Sequence, residues 1–236
     1  MTTHESHARR QIAELGASFF TRGLTFGRTG NISVRVGERV LVTPTGSSLG
    51  ALDPDALSVI DTAGTHVDGP APSKEAFLHA VMYRARREAG AVVHLHSTHA
   101  VAVSCLADID PRDALPPLTA YYAMRIGRLP LLPYHAPGDS ALESLAESTA
   151  AQHHAMLLAN HGPIVAATDL AGAADAVEEL EETARLFLLL RGERTRPLTR
   201  ARAAELRLRF APDPLSYPTS PGSPPIHPPW RHCDGP

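Results

Sequence analysis

The pattern of apolar and polar positions changes period several times along the chain. Ile12, Leu15 and Phe19 fall at helical spacing, and Gly23 can end that helix. In Ile32-Ser33-Val34-Arg35-Val36 the period drops to two, as in a half-buried strand. Gly37-Glu38 can then turn the chain into Val40-Leu41-Val42, its hairpin partner. The same reasoning predicts strands over 57–61, 91–95, 155–159 and 164–166. It predicts helices over about 74–87, from 97 through Cys105, over 142–153 and over 170–191. Phe77, Ala80 and Val81 would form the inner stripe of the second helix, and Glu178, Glu179, Glu181 and Glu182 the polar face of the last. Between 111 and 137 the prolines argue for extended segments and turns. Mixed strands and helices give an α/β chain, and the early hairpin argues against a purely parallel sheet. Residues 1–210 read as one domain. Residues 211–236 hold nine prolines and read as an extended, unpacked tail.

At 236 residues the chain is long enough to bury a substantial core. Its net charge of -3 suggests neither a nucleic-acid nor an anionic-membrane partner. Its N-terminus lacks the apolar stretch of a signal peptide, and no uncharged run approaches the roughly 20 residues that span a bilayer. A cytoplasmic location is the expectation. Cys105 and Cys233 make no disulfide framework, and the apolar run around Cys105 predicts a buried free thiol.

Thirteen histidines shift attention to metal chemistry. His94 and His96 close a strand-like segment, and positions i and i+2 of a strand share a face, so two imidazoles can meet one ion. His161 follows another apolar strand, in an Asn-His-Gly-Pro turn. Three neutral imidazoles suit a borderline divalent ion such as zinc and leave a position for substrate; hydrogen-bonded core histidines are the alternative. His99 and His79 read as structural, and His153-His154 as partners of a helix dipole. Gly30-Asn31 and Thr45-Gly46 sit in glycine-containing loops, and Ser73-Lys74 at a helix start. Each could be a plain turn, or could offer N–H donors to a phosphate. Neither a Walker loop nor a dinucleotide fingerprint is present.

Read in order, Gly27-Arg28-Thr29-Gly30-Asn31-Ile32-Ser33, Thr43-Pro44-Thr45-Gly46, Pro72-Ser73-Lys74-Glu75, His94-Leu95-His96-Ser97 and Asn160-His161-Gly162 resemble the motifs of the class II aldolase/adducin family. Within that family, Gly23 to Gly27, Lys74 to His79, His96 to Leu106 and Leu115 to Thr119 resemble the 3-oxo-tetronate 4-phosphate decarboxylases. The resemblance implies an α/β/α sandwich with a largely antiparallel central sheet, and a homotetramer with sites at subunit interfaces. It makes His94, His96, His161 and Glu75 the metal ligands and Glu75 the catalytic acid/base. It places Gly30, Asn31, Thr45, Gly46, Ser73 and Lys74 at the substrate phosphate. Lys74 departs from the serine of fuculose-phosphate aldolase and adds a cation there. The implied reaction is decarboxylation of 3-oxo-tetronate 4-phosphate to dihydroxyacetone phosphate and carbon dioxide through a metal-stabilised enediolate. Zinc is the expected ion, with manganese, cobalt and iron as alternatives. Burial would raise the Glu75 pKa and suit it to acid catalysis near neutrality. Sugar-phosphate aldolase or epimerase activity and a non-catalytic adducin-like scaffold are the competing readings. Tyr121, Tyr122 and Arg125 are candidates to close the pocket, or to pack.

Overall fold

A computed structural model describes residues 2–210. The proline-rich segment expected at 211–236 lies outside the described residues. Eight strands form one sheet: β1 (Asn31–Val36), β2 (Arg39–Val42), β3 (Ser58–Asp61), β4 (His66–Asp68), β5 (Ala91–His94), β6 (Leu131–Leu132), β7 (Ala155–Leu158) and β8 (Gly162–Ala167). Their order is β4-β3-β2-β1-β5-β8-β7-β6. Every neighbouring pair is antiparallel except β6 with β7. The helices are α1 (Thr3–Thr21), α2 (Ala76–Ala85), α3 (Thr98–Ser104), α4 (Ala120–Arg125), α5 (Glu143–Ala150), α6 (Leu170–Leu189) and α7 (Arg200–Phe210).

Strand alternation sorts the side chains into two cores, one on each face of the sheet. Ile32, Leu41, Val93, Leu157 and Val165 meet α1, α3, α4 and α6 through Ile12, Phe19, Val103, Tyr122 and Leu180. Val40, Val42, Val92, Met156 and Ile164 meet α2 and α5 through Leu78, Val81, Met82 and Ala146. Each of the larger aliphatic side chains and Phe19, fully buried, contributes about 1.5–3 kcal/mol. Helices on both faces of a largely antiparallel sheet make the α/β/α sandwich that the sequence resemblance implies.

This layering decides where the site lies. In β5, Val92 points toward α2, so His94, two residues on, points the same way. Opposite it in register stands Asn31, the first residue of β1, which shares a face with Ser33. The carboxyl end of the central strand and the start of its neighbour therefore meet at the N-terminal end of α2.

Elements without an apolar rhythm escape the sequence reading. β4 is exposed at all three positions, β6 is two residues long, and α7 buries only Ala203. Cys105 is exposed rather than buried, because it follows the last turn of α3, whose inner positions are Ala100, Val103 and Ser104. Glu181 is not on a solvent face. It is buried, and its carboxylate accepts the backbone N–H groups of His99 and Ala100 at the start of α3.

Candidate active site

His94 is fully buried, and its Nδ1 lies 2.8 Å from the carbonyl oxygen of Pro163. Only a protonated Nδ1 can donate to that carbonyl, so a neutral ring carries its free lone pair on Nε2. That Nε2 stands 3.1 Å from His96 Nε2 and 3.3 Å from Glu75 Oε2. His161 arrives from the turn between β7 and β8. Asn160 there adopts φ 57°, a left-handed conformation that asparagine tolerates better than most residues. Position 162, after the histidine, must be glycine, because a Cβ there would lie 2.3 Å from the Leu95 carbonyl. His161 Nε2 then comes 2.9 Å from Glu75 Oε1.

Glu75 is the N-cap residue of α2, yet its side chain caps nothing. It turns instead into the histidines. One ligand atom from each of Glu75, His94, His96 and His161 lies within 4.8 Å of the others. Glu75 Oε1 and His161 Nε2 are both buried, and despite their separation neither has a partner at a hydrogen-bonding angle. Buried polar atoms are rarely left so. A tetrahedral ion with bonds of about 2.1 Å has ligand–ligand edges of about 3.4 Å. Separations of 2.9, 3.1 and 3.3 Å are close to that value. Three imidazoles and a carboxylate with facing lone pairs thus fit a divalent ion.

The electrostatics differ from the expectation for Glu75. Burial alone would push its pKa up, but the charges of His94 and His161, whose Nε2 atoms stand 3.3 and 2.9 Å from the carboxylate, outweigh burial and hold it well below the usual carboxylate range. Burial pulls His94 down, and Glu75 more than reverses that, leaving it raised. Burial and the neighbouring imidazoles push His96 down to about 3. Glu75 therefore begins as a carboxylate, not as a ready acid.

A cavity of about 180 Å³ opens beside the cluster, and Glu75, His96 and His161 reach its wall. All six residues expected at a phosphate line it: Gly30, Asn31, Thr45, Gly46, Ser73 and Lys74. Gly30 has φ 79°, and a Cβ there would stand 3.0 Å from the His94 carbonyl, so glycine lets this loop close over β5. The second loop is tied to the start of α2 by the bridge between Pro44 and Pro72. The Asn31 side chain is already committed, donating to Ser73 Oγ at 3.1 Å and to Glu75 Oε2 at 3.0 Å. Arg28, Thr29, Ser47 and Pro137 also line the cavity and were not singled out from sequence. For Arg28 the signal was its place inside the first glycine loop. Lys74 and Arg28 are exposed, and neither enters an ion pair among the described residues.

The remaining candidates stand apart. His99 Nδ1 binds Glu181 at 2.7 Å. His79 is buried below Asn31. His153 and His154 follow α5 rather than ending it, and His154 is buried against the Ala166 carbonyl, so neither serves the helix dipole. Tyr122 is core. Tyr121 is exposed, with Arg125 over its ring and paired to Asp175. Arg125 lines a larger groove of about 400 Å³ along α6 that includes Glu178, Glu179 and Glu182. Its carboxylates make it a poor host for an anionic substrate.

Residues 10–188 match the family model described as the class II aldolase and adducin N-terminal domain. A 3-oxo-tetronate 4-phosphate decarboxylase from Haemophilus influenzae is 48% identical over 199 residues, covering 84% of this chain and 95% of the relative. An L-fuculose phosphate aldolase from Escherichia coli is 33% identical over 180 residues, covering 76% and 81%. Among solved structures, YgbL from Klebsiella pneumoniae matches with a TM-score of 0.84 at 41% identity, covering 88% of this chain and all of that one.

Proposed function

The chain belongs to the class II aldolase and adducin family, and from that membership we propose that it is a divalent-metal-dependent carbon–carbon lyase acting on 3-oxo-tetronate 4-phosphate. It releases carbon dioxide and leaves dihydroxyacetone phosphate. The observation that carries this reading is the meeting of Glu75, His94, His96 and His161 at the wall of a glycine-loop cavity that also presents Lys74 and Arg28. The complete donor set argues against a purely scaffolding role.

His94, His96 and His161 would hold the ion, with Glu75 a fourth ligand while substrate is absent, and three imidazoles favour zinc. When bound, the ion supplies Lewis-acid polarisation of the C3 carbonyl and stabilises the electron pair that decarboxylation leaves behind. The chain's own groups bind and steer. The backbone N–H groups around Gly30 and Gly46, the N-terminal end of α2 and the Lys74 ammonium receive the C4 phosphate. This anchors C2 and C3 toward the histidines. Glu75, ionised before substrate arrives, takes the proton of the C2 hydroxyl. The C1–C2 bond then breaks, carbon dioxide departs, and its electron pair stays on C2, conjugated with C3. Glu75 returns its proton to C2, and water supplies the last proton, to oxygen.

Aldol cleavage of a sugar phosphate uses the same donor set, and the fuculose phosphate aldolase similarity keeps it as the second reading. Assaying carbon dioxide against aldehyde release decides between them. Carbon dioxide in stoichiometric yield with dihydroxyacetone phosphate supports the proposal, and an aldehyde product overturns it. A homotetramer working in the cytoplasm completes the reading. No described helix is long and apolar enough to cross a membrane.

A further inference from the structure

Below the histidine cluster runs a line of buried polar side chains that the steps above do not use. Tyr83 O–H lies 2.8 Å from Ser33 Oγ, Ser33 Oγ lies 2.7 Å from His79 Nδ1, and His79 Nε2 meets Asn31 Oδ1. The line ends where Asn31 Nδ2 reaches Glu75 Oε2 and Ser73 Oγ. Two periods make it possible. Glu75, His79 and Tyr83 recur every four residues at the start of and along α2, an advance of about 6 Å per step. Asn31 and Ser33 recur every two along β1, an advance of about 6.6 Å. The two rows keep pace and interdigitate.

Donor and acceptor roles along the line follow from its upper end. The Glu75 carboxylate only accepts, so the Asn31 group facing it is the NH2, and both of its hydrogens are used. Oδ1 must then face His79, which has to donate from Nε2. A neutral imidazole protonated on Nε2 accepts at Nδ1, so Ser33 donates to it and Tyr83 donates to Ser33. Ser33 and His79 are fully buried and Tyr83 is 1% exposed, so the line opens only at its upper end, on the cavity, and is not a path that carries protons through to the far side. Burial, with the nearby charge of His94, lowers the His79 pKa to about 3, so the ring stays neutral.

We propose that His79 is a positioning residue: held by Ser33 as the Nε2–H tautomer, it anchors the Asn31 carboxamide, which keeps Glu75 Oε2 engaged and Oε1 turned toward His161 and the cavity. This rests on the reading of Glu75 given above. Without the anchor the Asn31 amide can turn over and present oxygen to a carboxylate, releasing Glu75 from its working orientation.

Imidazole nitrogen NMR of the full-length, zinc-loaded protein tests the tautomer, with the His79 signals assigned by their loss in His79→Gln. The proposal expects a proton on Nε2 and none on Nδ1, unchanged from roughly pH 5.5 to 8, where ordinary histidines titrate. Ser33→Ala should mix the tautomers and lower kcat about tenfold, at unchanged zinc content and with KM within about twofold. His79→Gln, whose amide can donate to Asn31 and accept from Ser33, should retain more kcat than His79→Leu. A proton on Nδ1, titration within that window, or Ser33→Ala with wild-type kcat would overturn the proposal, even if His79→Leu does not fold. Failure of the wild-type chain to release carbon dioxide sinks the functional reading instead and leaves the tautomer measurable.

Discussion

Alanine at His94 and at His96 should abolish metal loading equally yet affect the fold unequally. His94 is fully buried, and its Nδ1–H satisfies the Pro163 carbonyl. Its removal takes from that carbonyl one of its two donors, the Leu95 N–H remaining at 3.2 Å, at about 0.5–1.5 kcal/mol, and leaves a ring-sized void that costs somewhat more. The metal-free His94→Ala protein should lose roughly 2–4 kcal/mol, or about 4–16 °C in Tm for a chain of this size. His96 is only half-buried, and its ring nitrogen faces His94 without a backbone partner. Metal-free His96→Ala should stay within about 1 kcal/mol of wild type, because it strands no buried group. Chelator-treated samples compared by urea melts give the stabilities, and elemental analysis after reloading gives metal per chain. His96→Ala with full metal and full turnover would refute the donor set. Equal destabilisation by the two variants would refute the different roles assigned to the rings.

Glu75→Gln should preserve the fold and lower kcat about 100- to 10,000-fold, the range of a lost acid/base group, read in a carbon dioxide release assay. Lys74→Met should raise KM for the phosphorylated substrate about tenfold with little change in kcat, a difference that shrinks as salt is raised. Asp113 offers a pH test away from the site. Burial raises its pKa to about 6, against a smaller opposing hydrogen bond from the Leu129 N–H. The folded state thus holds the proton more tightly than the unfolded state, and wild-type stability falls as pH rises from about 4 to 6. Asp113→Asn should match wild type near pH 4 in urea melts. Above about pH 6 it should be more stable, by up to about 3 kcal/mol. A constant difference across that range would show that the carboxyl does not titrate abnormally.

The parts of this molecule legible in its sequence are those set by short-range periodicity. Alternation in 32–36 and 40–42 gave the hairpin, and His94-Leu95-His96 announced a shared face, which His96 keeps although β5 ends at His94. Gathering His161 and Glu75 beside them needed the sheet order, which local pattern does not contain, and there the family motifs supplied what periodicity could not. Glu75's carboxyl was expected to be a weak acid because burial is the easier effect to anticipate; the histidines that reverse it arrive from the end of β5 and the turn between β7 and β8. Asn31 read as a phosphate contact because it lies in a glycine loop, and its engagement with Glu75 depends on a helix 44 residues away. Glu181 sits among other glutamates along α6, and only the packing of α3 separates it from them.

Metal titration of chelator-stripped protein, followed by carbon dioxide release from 3-oxo-tetronate 4-phosphate, tests the central claim most directly. The account predicts no turnover without metal and activity rising in proportion to bound ion, saturating at one per chain. Full turnover in the stripped protein, or a saturating ion bound to a His94→Ala, His96→Ala double variant with unchanged activity, would contradict it.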